Sequence, residues 1–229
     1  MEDTSMTQAL SETLPHSAYP PAPAEADQRA TARYTPLIRS AKLVGASGEF
    51  LCVVSDVSAT GISIRLFHEL PRDGMLELEM PNGDRLPLEP VWQKESRAGF
   101  RFAGPVNLDR LLEGRGEWPK RPIRLNLEMP LQLAGLTGRF DALLKNISLQ
   151  GAQVECEHRL AIDQRLRMSG KCLPEIVTKV RWRHGTTYGL VFDTLFQFAD
   201  LARIAAFVQG VDPAGGHRAL TSCCHPPAR

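Results

Sequence analysis

The chain has 229 residues, 43% hydrophobic and 23% charged, an ordinary composition for a water-soluble fold and a length that suits one large domain or two small ones. A formal net charge of +1 excludes a uniformly basic nucleic-acid binder, whose affinity rests on many phosphate contacts, and equally excludes an acidic solvating protein. No apolar run reaches the roughly 18 residues of a membrane span, and MEDTSMTQAL has neither the cationic start nor the apolar stretch of a secretory signal, so neither is expected.

Residues 1–28 hold five acids (Glu2, Asp3, Glu12, Glu25 and Asp27) and no Lys or Arg. The 27 basic residues therefore face only the 21 acids left of 26, and the remainder of the chain carries +6. With Pro15, Pro20, Pro21 and Pro23 among Ser, Thr and Ala, this leader cannot bury enough apolar surface to offset chain entropy, and a disordered segment is expected. Arg29-Ala30-Thr31-Ala32-Arg33 follows it; two arginines four apart, taken alone, read as a solvated basic pair.

Short runs rich in β-branched or alternating apolar residues come next: Phe50 to Val54, Ile62 to Leu66 and Leu76 to Met80. Pro81-Asn82-Gly83-Asp84 carries the Asn-Gly signal of a tight hairpin, leading to Leu86-Pro87-Leu88, Val91-Trp92 and Gly99 to Phe102. Strands at this spacing predict a sandwich or small barrel, and closure removes exposed edges. Asn107 or Asp109 can cap a short helix through Leu112. Glu113 to Glu117, with two glycines, reads as a linker with hinge candidates.

Beyond the linker the pattern recurs at an offset of ninety residues: Asp56, Ser58 and Gly61 meet Asn146, Ser148 and Gly151, Trp92 meets Trp182, Gly99 meets Gly189, and Phe102 meets Phe192. Two copies of one module are expected, over 29–117 and 118–210. Leu195 to Val208 repeats apolar residues at helical spacing and predicts a longer helix packed on a barrel or on the neighbouring module. The stretch 211–229 reads as a second disordered tail, whose Cys223-Cys224-His225 lacks a fourth ligand for a metal. Cys52 and Cys156 sit in strand-like runs as small hydrophobes.

Arg-x-x-x-Arg at Arg29 and Arg33, a strand, then Asp56-Val57-Ser58-Ala59-Thr60-Gly61 resembles the signature of the PilZ domain family. The second copy keeps the latter half as Asn146 to Gly151 but departs in the former, with Lys120 in place of the first arginine and Arg124 answering Arg33. The resemblance implies a mainly β fold of two tandem six-stranded antiparallel barrels, each followed by a short helix. It also implies a bacterial, cytoplasmic receptor for cyclic diguanylate (c-di-GMP), bound without any cofactor and reported to a downstream protein.

The chemistry fits. The ligand offers two phosphodiesters and two guanines, and the arginine fork meets either a phosphate or the guanine O6/N7 edge bidentately, which lysine does not. The first copy is thus the main expected site, through Arg29, Arg33, Asp56, Ser58 and Gly61; Lys120, Arg124, Asn146, Ser148 and Gly151 form a degenerate second one. Asp56 accepts guanine N–H groups in this reading, and Gly61 supplies backbone freedom or close approach. The alternative is a purely structural Asx-type turn. Trp92 and Trp182 read as half-buried barrel residues, with base stacking the other option. No phosphate loop, nucleophile elbow or zinc-binding helix motif is present, so a receptor rather than an enzyme is expected. Two other readings stand: a tandem-barrel protein-interaction adaptor, and a small-barrel binder of single-stranded nucleic acid.

Overall fold

The computed structural model describes residues 39–71, 74–113 and 122–211. The expectations for the leader, for residues 114–117 of the linker and for the tail beyond Val211 lie outside them. Strands β1 (Arg39–Gly45), β2 (Gly48–Val57), β3 (Gly61–Arg65), β4 (Leu76–Glu79), β5 (Arg85–Lys94) and β6 (Arg97–Phe102) precede helix α1 (Leu108–Glu113). Strands β7 (Leu125–Gly135), β8 (Gly138–Ile147), β9 (Gly151–Glu155), β10 (Arg165–Gly170), β11 (Leu173–His184) and β12 (Thr187–Phe192) precede α2 (Phe198–Val208). Each set of six closes into an antiparallel barrel in which β1-β2-β3-β6-β5-β4 and β7-β8-β9-β12-β11-β10 are neighbours. The mainly β pair of barrels expected from the sequence is what the chain forms, and closure leaves neither barrel an open edge.

The repeat extends to the irregularities. Bulges interrupt β2 between Val54 and Asp56 and β8 between Leu144 and Asn146, and again β5 between Pro90 and Trp92 and β11 between Val180 and Trp182. The two runs expected around Leu86 and Val91 are one strand, bent at that bulge. Helix α2 starts later than its periodicity suggests: the Phe196 N–H bonds Leu149 O and its ring meets Phe192 edge-on, so the helix opens only after Gln197.

Phe50, Leu51 and Cys52 are all buried, although strand geometry sends alternate side chains to opposite faces. Phe50 and Cys52 fill the first barrel, whereas Leu51 belongs to the core of the second. Helix α2 mediates this: Leu201, Ala202, Ile204 and Ala205 pack in the second core and Ala206 in the first. Phe67, from the first copy, meets Phe198 edge-on at 5.6 Å.

A polar cluster borders this apolar seam. Lys42, on β1, is buried with its ammonium 3.2 Å from Glu49 and 3.1 Å from Glu79, and it donates to Arg124 O across the barrels. Glu49 accepts from the backbone N–H and the side-chain amide of Asn126, at 2.7 and 2.8 Å. The Gln209 amide then brackets the Glu49 peptide, accepting from its N–H and donating to its carbonyl. Truncating Lys42 removes the buried cation between two largely buried carboxylates, leaving Glu49 only its Asn126 donors and Glu79 only its ion pair with Arg85. Lys42→Ala is expected to cost about 1–3 kcal/mol, read as a lowered urea midpoint at unchanged slope. An unshifted midpoint would show that the seam does not depend on this cluster.

His68 is fully buried against the Phe50 ring, its Nδ1–H donating to Glu69 O, while Nε2 has no partner among the described residues. Burial pushes its pKa below the ordinary imidazole value, against a smaller opposing effect of the Glu69 hydrogen bond. The folded state therefore takes up its proton at lower pH than the unfolded chain. The resulting stability is complete above about pH 6.5 and is lost as pH falls toward the folded pKa. Thermal midpoints should fall between pH 7.5 and 5.5, and less steeply in His68→Leu; parallel profiles would refute the assignment.

Candidate functional site

The signature segment is built by a bulge, a turn and a close approach. Inward positions on β2 run Phe50, Cys52, Val54, and strict alternation would send Asp56 into the core; the extra residue Ser55 resets the phase, so Val57 goes in and Asp56 stays out. The chain then turns: the Ser58 N–H and hydroxyl both donate to Gly61 O, at 2.8 and 3.2 Å. A Cβ on Gly61 would sit 2.4 Å from Phe100 O, so glycine is required by the neighbouring strand. The second copy repeats each feature. The Ser148 N–H and hydroxyl donate to Gly151 O at 2.8 and 3.1 Å, and a Cβ on Gly151 would meet Leu190 O at 2.2 Å.

Ser58 and Ser148 are buried within their turns, and the hydrogen bonds seen for them are local, as in the structural reading of these positions. Asp56 instead stands on the barrel wall, where one carboxylate oxygen accepts from the Ser63 hydroxyl. It lines a groove of roughly 450 Å³ together with Ser58, Gly61, Trp92, Gly99 and Arg101. Trp92 is half-exposed and faces Gly99 in register; a Cβ there would lie 2.1 Å from the indole nitrogen, so the glycine lets the ring lie on the wall. One indole face is thus supported by backbone.

The sequence reading missed Arg101. It pairs in register with Gly61 across β3 and β6, is exposed, and its guanidinium has no hydrogen bond or ion pair among the described residues. The available signal was its position inside the Gly99-x-x-Phe102 strand, read only as a fold marker.

Arg29 and Arg33 lie outside the described residues, as does Lys120, so of the first-copy residues the structure brings together Asp56, Ser58 and Gly61. In the second copy Arg124, just before β7, donates from Nη1 to Asn146 Oδ1 at 2.9 Å, while Asn146 donates to Gln153. Arg124 is thus bonded to Asn146, and Ser148 and Gly151 close the turn that follows Asn146. Arg124 and the indole of Trp182, which covers Gly189, also line a cavity of about 860 Å³ at the barrel junction, opposite Lys42, Glu79 and Asn82.

Comparison with curated proteins gives no match. Among solved structures the chain is similar to the Borreliella burgdorferi PlzA protein in complex with c-di-GMP, at 14% identity, covering 75% of this chain and 87% of that one with a TM-score of 0.30. It is also similar to the Bacillus subtilis inhibitor of motility MotI/DgrA (12% identity, 73% and 93% covered, TM-score 0.32). A third is the K. pneumonia MrkH–c-di-GMP complex (13% identity, 74% and 84% covered, TM-score 0.28). The family model of the PilZ domain matches this chain twice, over residues 27–113 and 119–210, each match taking in one barrel with its bulged strand, its Ser–Gly turn and its indole-covered glycine: the chain belongs to the PilZ domain family.

Proposed function

We propose that the chain is a c-di-GMP receptor whose main site is the first-barrel groove, and that it reports occupancy to a partner protein. The observation that carries this reading is the groove itself, where an outward carboxylate (Asp56), a wall-mounted indole (Trp92) and a guanidinium without a partner among the described residues (Arg101) surround one space. Each group matches a part of the ligand. The carboxylate accepts from guanine N1–H and N2–H2; the indole stacks on a purine; Arg101 meets a phosphodiester oxygen. Arg29 and Arg33 supply the bidentate forks for phosphate or for the guanine O6/N7 edge. Ser58 and Gly61 serve by shaping the turn that presents Asp56.

Ligand held between the wall and the Arg29–Arg33 segment ties the two together, and that closure is the event a partner reads. In calorimetric titration with c-di-GMP the wild type should give saturable heat. Arg33→Ala and Asp56→Ala should each weaken binding roughly tenfold to a hundredfold, the equivalent of ~1–3 kcal/mol for a lost bidentate contact. Saturable heat unchanged by both substitutions would move the site elsewhere. Small-angle scattering should differ between free and saturated protein; identical curves would remove the closure.

A further inference from the structure

One face of the first barrel is covered by the chain that follows its helix. Pro122, Ile123 and Arg124, which begin nine residues after α1 ends at Glu113, face Ser40, Lys42, Leu51, Glu79 and Pro81 across the junction cavities, and the Lys42 ammonium donates to Arg124 O there. Ninety residues on, those five barrel positions are Pro130, Gln132, Asp141, Ser169 and Lys171, and all five line one groove of about 820 Å³ on the second barrel. Phe207 and Val208 of α2 form its apolar side, and Phe207 is 37% exposed. The described residues after α2 turn toward the first barrel instead. Gln209 brackets the Glu49 peptide, and Gly210 ends the helix in a Schellman turn that returns the Val211 N–H to Ala206 O and sets Val211 against the first core. The exposed Asp141 carboxylate accepts from Gln132 and meets no cation among the described residues.

We propose that this groove is the seat of the chain's own segment His217-Arg218-Ala219-Leu220, with Arg218 on Asp141 and Leu220 against Phe207 and Val208. The place in sequence matches: His217 comes nine residues after α2 ends at Val208, as Pro122 comes nine after α1. Nine residues span up to about 30 Å, and the groove begins at Val208 itself, so the segment reaches it. The chemistry matches too. Residues 212–229 hold Arg218 and Arg229 against the single acid Asp212, and Leu220 is their one large aliphatic side chain. A guanidinium on a carboxylate fixes register, while covering the exposed Phe207 ring with Leu220 supplies the driving force. A second copy of the chain does not suit this face. Its β7 would bring the Asn126 donors that bond Glu49 on the first barrel, but position 49 is answered here by Arg139, and Leu51 by Asp141, which an apolar core would strand. None of this depends on which ligand the first groove takes. A partner that reaches this side of the second barrel must first displace the segment.

Hydrogen–deuterium exchange of the full-length protein tests the seat. Amides of residues 217–220 should exchange at least about tenfold more slowly than in a synthetic peptide of residues 212–229. Asp141→Arg and Leu220→Asp should each abolish that protection, and the swap Asp141→Arg/Arg218→Asp should restore it. Unchanged exchange in β11 and β12 establishes that the barrel stays folded; should Asp141→Arg unfold it, Leu220→Asp, outside the barrels, decides alone. Free-peptide rates in the wild type overturn the inference, as does protection that survives either substitution in a folded barrel. A swap that restores nothing overturns the pairing of Arg218 with Asp141. Protection lost on dilution overturns seating within one chain and assigns the groove to a second copy.

Discussion

Strand β2 has apolar groups on both of its faces, and the arrangement of the barrels follows from finding cover for each. Phe50, Cys52 and Val54 point into the first barrel, which leaves Leu51 on a surface that water would otherwise reach. Burying a leucine is worth roughly 1.5–3 kcal/mol, and the second core, through α2, provides the cover. A seam of that kind has no directionality of its own. Orientation comes from its polar border, where Lys42, Glu49, Asn126 and Gln209 satisfy one another in a geometry that a slipped interface would break.

The same economy of backbone shapes the groove. A bulge takes Asp56 off the inward phase, and a side-chain-free residue at 61 lets the β6 carbonyl approach the turn closely. A second glycine, Gly99, leaves room for an indole to lie flat on the wall. None of these residues gains its place by strong packing of its own. They stand where rigid, hydrogen-bonded strands put them, so the polar groups of the groove are positioned before any ligand arrives.

Duplication has preserved that scaffold more faithfully than the charges on it. Bulges, Ser–Gly turns and Trp–Gly pairs recur at the same offset, whereas cations differ: Arg101 answers Val191, Val91 answers Arg181, and Lys120 replaces an arginine. Exposed wall positions tolerate exchange because they contribute little to folding, while a Cβ at Gly61 or Gly151 would strike a backbone carbonyl.

Much of this was legible in the residues themselves. The ninety-residue offset, the hairpin at Asn82-Gly83 and the Asp56 to Gly61 segment are local patterns, and local patterns survive reading one residue at a time. Strand β1 was not legible, because Lys42 interrupts its apolar run and is buried only by acids from β2 and β4. The late start of α2 depends on Leu149 capturing the Phe196 N–H, and that Arg101 meets no partner among the described residues depends on which neighbours fold beside it. Sequence by itself determined the two modules, their β character and the signature, since these rest on periodicity and on residue type. Only the tertiary structure decided which face of β2 meets which core, why residues 61 and 151 must lack a Cβ, and where each wall arginine stands, since burial, steric room and pairing belong to chain segments distant in sequence.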